Sequence, residues 1–259
     1  MNIALFAVRV VGHEVAKFFG ENKEPLACLV LDSKDASGLN SQIMIDSGVR
    51  PDRIFYSDSI SSEKTLALFQ EMKLDLILLA WWPYILKENL IKIPRMGCLN
   101  FHPSYLPHNR GKHYNFWSLV EGGPFGVTIH FIDKGIDSGD IAFQSVIEKS
   151  WEDTGETLYD KAQRELVRLF KEKFPQIKSG KIPRKPRDLN SGSFHRSEEL
   201  DAASRIDLDK NYSARELLNL LRARTFPPYP GAWFIDQGKK YEVRIEIKKV
   251  QDNNQQSKD

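Results

Sequence analysis

At 259 residues, with 37 Lys and Arg against 35 Asp and Glu for a formal charge of +2, the chain is long enough for one sizeable core plus an appended subdomain. It is too evenly charged to depend wholesale on a polyanion such as tRNA or DNA. No run approaches the roughly 20 apolar residues of a membrane span, the start at residues 1–7 lacks a basic leader, and Cys28 and Cys98 each sit inside an apolar run; a soluble cytoplasmic protein without disulfides or a zinc site is expected.

The elements read in order as strand, helix, strand. Residues 2–8 (NIALFAV) form a continuous apolar run, a helical pattern follows through Val15, Phe18 and Phe19, and Leu26 to Leu31 is a second run. The pattern recurs as a helix over 63–72, a strand over 74–80, a short helix over 84–91 and a strand over 97–101. Continuous rather than alternating apolar runs suit strands covered on both faces, hence an open, largely parallel α/β sheet. Beyond it, 115–120 predicts a helix and 125–132 and 141–147 predict strands. Residues 154–174 predict a long amphipathic helix opened by Thr154 and Thr157. Gly, Pro, Ser, Lys and Arg crowd between Ser179 and Arg196, so a catalytic domain over 1–180 and a linker over 181–196 are expected. A subdomain over 197–250 follows, with a helix near 214–222 and a hairpin whose strands, 232–235 and 241–250, flank Asp236, Gln237 and Gly238. The polar tail 251–259 is expected to be disordered.

In open α/β sheets ligands gather beyond the carboxyl ends of strands. The strand over 97–101 runs into Asn100, His102 and Pro103, and strand alternation places Asn100 and His102 on one side. The acidic, glycine-rich loop 133–141 (DKGIDSGDI) can bring a carboxylate to His102. An amide donor, an imidazole and a carboxylate suit acyl transfer to an amine: Asn100 steadies the oxygen of a tetrahedral intermediate, His102 takes the amine's proton, and an acid positions the imidazole. Ser104 lacks the G-x-S-x-G setting of a serine nucleophile. On spacing alone, Asn100 and His102 also read as satisfied polar residues at a strand end, and Asp137 as turn chemistry. His102, His108 and His113 fit no metal-binding spacing, and no metal is expected. The start of the chain has no G-x-G-x-x-G and no Walker loop.

The stretch NFHPSYLPHNRG (100–111), Phe116 and Trp117, GVTIHFID (126–133) and DSGDI (137–141) strongly resembles the folate-dependent formyltransferases, densely over 74–150 and loosely over most of the chain. The resemblance implies a Rossmann-like fold, a catalytic trio of Asn100, His102 and Asp137, and N10-formyltetrahydrofolate as donor. It further implies a folate pocket bordered by Trp81, Trp82, Tyr84 and Ile85 with Asp133 and Ile136. The C-terminal stretches SFHRSEELD (193–201), ARELLNLLRARTFPPYPGAWF (214–234) and KKYEVRI (239–245) look like those of the sugar N-formyltransferases. These imply a nucleotide-linked amino sugar (dTDP-, UDP- or GDP-linked, amine at C-3 or C-4) as acceptor, a role in bacterial surface glycans such as the O-antigen of lipopolysaccharide, and a homodimer through the hairpin. Methionyl-tRNA formylation and formyltetrahydrofolate hydrolysis are the rivals.

Several residues carry two readings. Trp81, Trp82 and Tyr84 also suit a core, and His130 reads as structural support within its strand. Arg9, at the end of the first strand, suits a diphosphate or plain solvent. Arg110, Lys112 and His113 suit phosphate or sugar hydroxyls or a surface loop. Phe194, His195, Arg196 and Phe226 suit contact with the nucleotide base, and Phe226 equally suits packing of the appendage.

Overall fold

The computed structural model describes residues 1–250; the predicted tail over 251–259 lies outside them. The chain order is β1 (Ile3–Ala7), α1 (Arg9–Glu21), β2 (Cys28–Leu31), α2 (Asn40–Ser47), β3 (Ile54–Tyr56), α3 (Glu63–Glu71), β4 (Leu76–Ala80), α4 (Glu88–Ile91) and β5 (Cys98–His102). It continues with β6 (Arg110–Gly111), α5 (Tyr114–Val120), β7 (Gly126–Phe131), β8 (Ile141–Val146) and α6 (Gly155–Lys178). After these come β9 (Phe194–His195), α7 (Glu199–Ala203), α8 (Ala214–Ala223), β10 (Ala232–Asp236) and β11 (Lys239–Val243).

Seven strands form one sheet in the order β3-β2-β1-β4-β5-β7-β8. It is parallel from β3 through β5 and antiparallel at β5–β7 and β7–β8. The result is the expected Rossmann-like, mostly parallel sheet with helices on both faces and a small antiparallel hairpin at the C-terminal end. The unbroken apolar runs of β1 and β4 have their cause here. Ile3, Leu5 and Ala7 with Leu76, Leu78 and Ala80 feed one core cluster, and Ala4 and Phe6 with Ile77 and Leu79 feed the other, so every side chain is buried on one face or the opposite one. Helix α1 sits tightly on β1 because residue 12 is glycine: a Cβ there would lie 2.6 Å from the Ala7 carbonyl carbon.

Tertiary contacts move several predicted boundaries. Helix α6 runs through Pro175 to Lys178, past the expected end at 174. Phe174 and Ile177 are buried in the larger core, and Lys178 reaches Glu24 at 2.7 Å. The helix expected over 84–91 shrinks to α4, because Tyr84 is drawn away to donate to Asp32 Oδ1 at 2.8 Å. Strand β11 ends at Val243, where its partner β10 runs out at Ala232. The intervening turn has Gln237 and Gly238 both at positive φ, 47° and 74°, the conformation of a two-residue hairpin loop.

The glycine- and proline-rich segment 181–196, expected as a linker, is fastened to the catalytic sheet. Ile141 and Lys185 form a backbone bridge, and β9 pairs with β6 at Arg110↔Phe194 and Gly111↔His195. The segment is therefore a strap that starts beside Met96, just before β5, bridges the first residue of β8 and ends on β6, beyond the end of β5.

Candidate active site

At β5 the sheet changes character on one face. The odd positions Leu99 and Phe101 of β5 and Val127, Ile129 and Phe131 of β7 go to the larger core. The even positions Asn100, His102, Thr128 and His130 share the opposite face, with Asn100 paired to His130 and His102 to Thr128 across the strands. Helices cover this face under β1 and β4, but at β5–β7 it carries polar groups.

Thr128 and Gln144 set the geometry. The Thr128 hydroxyl donates to the Ser104 carbonyl at 2.7 Å and accepts from the Leu106 amide at 3.1 Å, while Gln144 donates to the Leu106 carbonyl at 2.8 Å. The chain leaving His102 is thus pinned in a turn that sends β6 back over the strand end. There the Gly111 amide donates to Asp137 Oδ2 at 3.0 Å. Asp137 sits at φ 46°, held by a hydrogen bond from Arg187 Nη2 to its carbonyl. Positive φ also occurs at Arg9, the first residue of α1, and at Trp81, Asn109 and His113, which follow β4, precede β6 and precede α5.

The predicted trio converges. Asp137 Oδ1 lies 3.5 Å from His102 Nδ1 and 3.5 Å from His130 Nε2. The His130 Nδ1–H donates to the Phe131 carbonyl at 2.8 Å, so in the neutral ring Nε2 is an acceptor and takes one N–H of the Asn100 amide at 3.2 Å. His130 thereby fixes the amide and leaves its second hydrogen unused. The imidazole of His102 is 5% exposed, and its Nε2 is buried without a protein partner. Burial pushes the His102 pKa down to about 4, with Asp137 acting in the opposite direction, so the ring is neutral at physiological pH. For Asp137, burial raises the carboxyl's pKa, but His102, whose Nδ1 faces the carboxylate, and the Gly111 amide outweigh it and hold the group ionised, well below the usual carboxylate range. With the carboxylate beside Nδ1, the proton sits on Nδ1 and the lone pair on the buried Nε2 is left without a protein partner. Two imidazoles and a carboxylate within 4.8 Å of one another also form a donor set a divalent cation accepts. Here, however, both ring nitrogens of His130 are already engaged by Asn100 and Phe131.

The remaining predicted residues fall into three groups. Asp133 and Ile136 lie in the loop carrying Asp137, with the Asp133 carboxylate accepting from Gly135 N and Ser138 Oγ and Ile136 about half exposed. Lys134 of that loop reaches Glu88 of α4 at 3.4 Å, tying it to the segment with Trp81 and Ile85. Trp82 turns into the second core region, packing edge-on against Phe6 and Tyr84, while Tyr84 and Ile85 are exposed, Ile85 by 84%. Around β6 and β9 the structure gathers Arg110, Lys112, His113, Phe194, His195 and Arg196. His195 is committed to protein partners: it stacks on Trp117 with ring centroids 3.7 Å apart, and its nitrogens lie 2.7 Å from Glu121 and 3.1 Å from Glu199. His113 Nε2 meets Ser197 Oγ at 3.3 Å. Arg110 lies over the Phe194 ring with its Nε unpartnered, and Lys112, Arg196 and Arg9 are exposed. Phe226 packs between Tyr159 and Tyr229.

Sequence reading missed Arg187 and Tyr114. Arg187 lay in a stretch whose composition signals only a linker, and Tyr114 sits one residue before the helix expected over 115–120. The Tyr114 ring lies 6.4 Å from that of His102, edge to face, and stacks on Tyr159.

The formyl transferase family profile matches residues 16–173, and that of the N-formyltransferase dimerization C-terminal domain matches 199–249. The dTDP-4-amino-4,6-dideoxyglucose formyltransferase of Mycobacterium tuberculosis is 33% identical over 59% of this chain and 65% of its own. A crystal structure of a 4-N formyltransferase from Francisella tularensis superposes with a TM-score of 0.79 at 25% identity, covering 96% of this chain and 98% of that one. The sugar 3N-formyl transferase WlaRD, solved in the presence of dTDP and 5-N-formyl-THF, has a TM-score of 0.67 at 20% identity, covering 93% and 84%. The chain spans 27% to 65% of the length of the curated relatives it matches.

Proposed function

Because the chain belongs to the formyl transferase family, we propose that it moves a formyl group from N10-formyltetrahydrofolate to the amine of a nucleotide-linked amino sugar, at C-3 or C-4, for a bacterial surface glycan. The observation that carries this reading is the meeting of Asn100, His102 and Asp137 at the end of β5, around a buried imidazole nitrogen that no protein group occupies. The sugar acceptor is supported by the C-terminal match over 199–249 and by the likeness to the Francisella 4-N formyltransferase along almost the whole chain.

The residues present fit a reduced folate. The Trp81–Ile85 segment and the Asp133–Ile136 loop, joined through Glu88 and Lys134, form two partly apolar lips, with Ile85 and Ile136 exposed, beside the unpartnered His102 Nε2. When bound, the folate supplies an electrophilic formyl carbonyl. Asn100 offers its unused amide hydrogen to the oxygen on which charge develops, a contribution of about 3 kcal/mol for one well-placed donor. His102 Nε2 accepts the proton of the attacking amine and returns it to the folate nitrogen that leaves as its bond to the formyl carbon breaks, while Asp137 holds the proton on Nδ1 and stabilises the cation that forms in between. Ser104 is not a nucleophile in this scheme, because its hydroxyl is buried and donates to the His108 carbonyl at 2.9 Å. Arg9, Arg110 and Lys112 supply positive charge for the diphosphate, and Phe194 and Phe226 offer ring faces to the base.

The enzyme works as a homodimer in this reading. A lone two-stranded hairpin is marginal in water, and β10–β11 leaves Ile235 and Tyr241 exposed by 48% and 44%. Sedimentation equilibrium is expected to give twice the 29.8 kDa chain mass.

The deciding assay gives purified protein the formyl donor with a panel of amino-sugar nucleotides, with charged initiator tRNA, or with no acceptor. Turnover on one or more sugar nucleotides is the expected outcome. Turnover confined to tRNA would reassign the acceptor, and equal turnover without acceptor would make the protein a hydrolase.

A further inference from the structure

Tyr114 is 8% exposed, and its hydroxyl is buried without a hydrogen-bond partner. A buried, unpaired hydroxyl destabilises a folded protein, and a phenylalanine would fill the same space without that penalty. The ring is held on three sides: Trp81 edge-on at 6.4 Å, Tyr159 stacked at 6.4 Å and His102 edge-on at 6.4 Å. Packing therefore explains the ring and not the oxygen. Burial raises the phenol's pKa well above its ordinary value, so it stays protonated, able both to donate and to accept. Arg9, exposed at the end of β1, lies close enough to act on it electrostatically.

We propose that the Tyr114 hydroxyl is a specificity-determining contact for the acceptor, hydrogen-bonding a sugar oxygen next to the amine and so orienting that amine over His102. The proposal rests on the sugar-nucleotide reading above. Its placement favours the acceptor over the folate. From His102 the aromatic row continues through Tyr114 and Tyr159 to Phe226 and Tyr229 in the C-terminal subdomain, with centroid steps of 6.4, 6.4, 5.3 and 5.1 Å, and Tyr229 is 55% exposed. Cationic Arg9 lies beside this row. A ligand laid along it has aromatic faces at its outer end and a cation beside it, which suits a base, a diphosphate and a sugar in that order. The exposed ends of the folate lips are Ile85 and Ile136, and Trp81, at the near end of one lip, stands edge-on to Tyr114 and Tyr159 between the two sites.

Tyr114→Phe keeps the ring and removes only the oxygen. With the acceptor that the unsubstituted enzyme uses best, kcat/KM is expected to fall about 10- to 100-fold, as for a site built to bond a substrate hydroxyl. The KM for the folate should not move, and the melting temperature of the ligand-free protein should stay level or rise. On an acceptor analogue lacking the hydroxyl beside the amine, enzyme and variant should converge to within about twofold. An unchanged kcat/KM, a loss confined to the folate KM, or an equal loss on the deoxy analogue would each overturn the assignment. If the unsubstituted enzyme turned over tRNA or water and no sugar nucleotide, the acceptor reading would fall and this contact with it; turnover on sugar nucleotides with a silent Tyr114→Phe would remove only Tyr114.

Discussion

Replacing Asp137 by Asn removes one charge at the centre of the site while leaving its shape. Asn is among the few residues that tolerate positive φ, so the backbone at 46° accepts it, and an amide oxygen can still receive the Gly111 N–H. What is lost is the attraction between the carboxylate and the imidazolium that forms on His102. At the observed 3.5 Å, two unit charges at an effective dielectric of 20 interact by about 5 kcal/mol, an upper bound equal to three to four decades in rate. Solvent entering the opened site and a partner role for the asparagine reduce this, so a fall in kcat of about 10²- to 10³-fold is expected with little change in either KM. The assay is steady-state turnover on the best sugar nucleotide, with circular dichroism to show that the fold persists. A variant retaining more than a tenth of the normal kcat would refute the electrostatic role assigned to Asp137.

Asn100→Ala removes the side-chain donor proposed for the developing oxygen, and kcat should drop about 10²- to 10³-fold with substrate binding nearly intact, measured by steady-state kinetics alongside titration calorimetry. The folded pKa of His102 lies below its ordinary 6.5, at about 4. Its imidazole signals should therefore not titrate in NMR spectra between pH 8 and pH 5. By linkage the neutral ring contributes its full stability above about pH 6.5 and loses it as pH falls toward 4. Asp137, whose folded pKa is depressed, adds a further loss below its unfolded value. Urea unfolding at pH 7 and pH 5 should show a decline that His102→Gln reduces. At Gly111, with φ 88°, a Cβ would collide with the His195 carbonyl oxygen. Gly111→Ala should cost about 2–3 kcal/mol by calorimetry, detach the strap and raise acceptor KM more than folate KM.

Much of this molecule was legible in order along the chain. The strands of the parallel half appear as apolar runs because they are buried on both faces, and Asn100, His102 and Asp137 stand in motifs whose spacing survives any rearrangement of the loops. The boundaries that moved, α4 and the end of α6, did so because a remote partner outweighed local propensity: Asp32 for Tyr84, and the core around Phe19 for Phe174 and Ile177. Composition marked 181–196 as a tether, since Gly, Pro and Lys report how a segment behaves alone and carry no record of the strand edge it meets at β6.

The linear order of residues was enough to give the kind of sheet, which follows from residue type and short-range periodicity, and to offer candidate groups for the chemistry through motifs that resemble a known family. Only the tertiary structure decided that His130 would aim the Asn100 amide, that Arg187 would hold the loop of Asp137, and that the Tyr114 ring would stand edge-on to His102 with its buried hydroxyl left without a partner among the described residues. Those depend on distances between segments far apart in the chain, and on which buried polar atoms are satisfied once the whole core has closed.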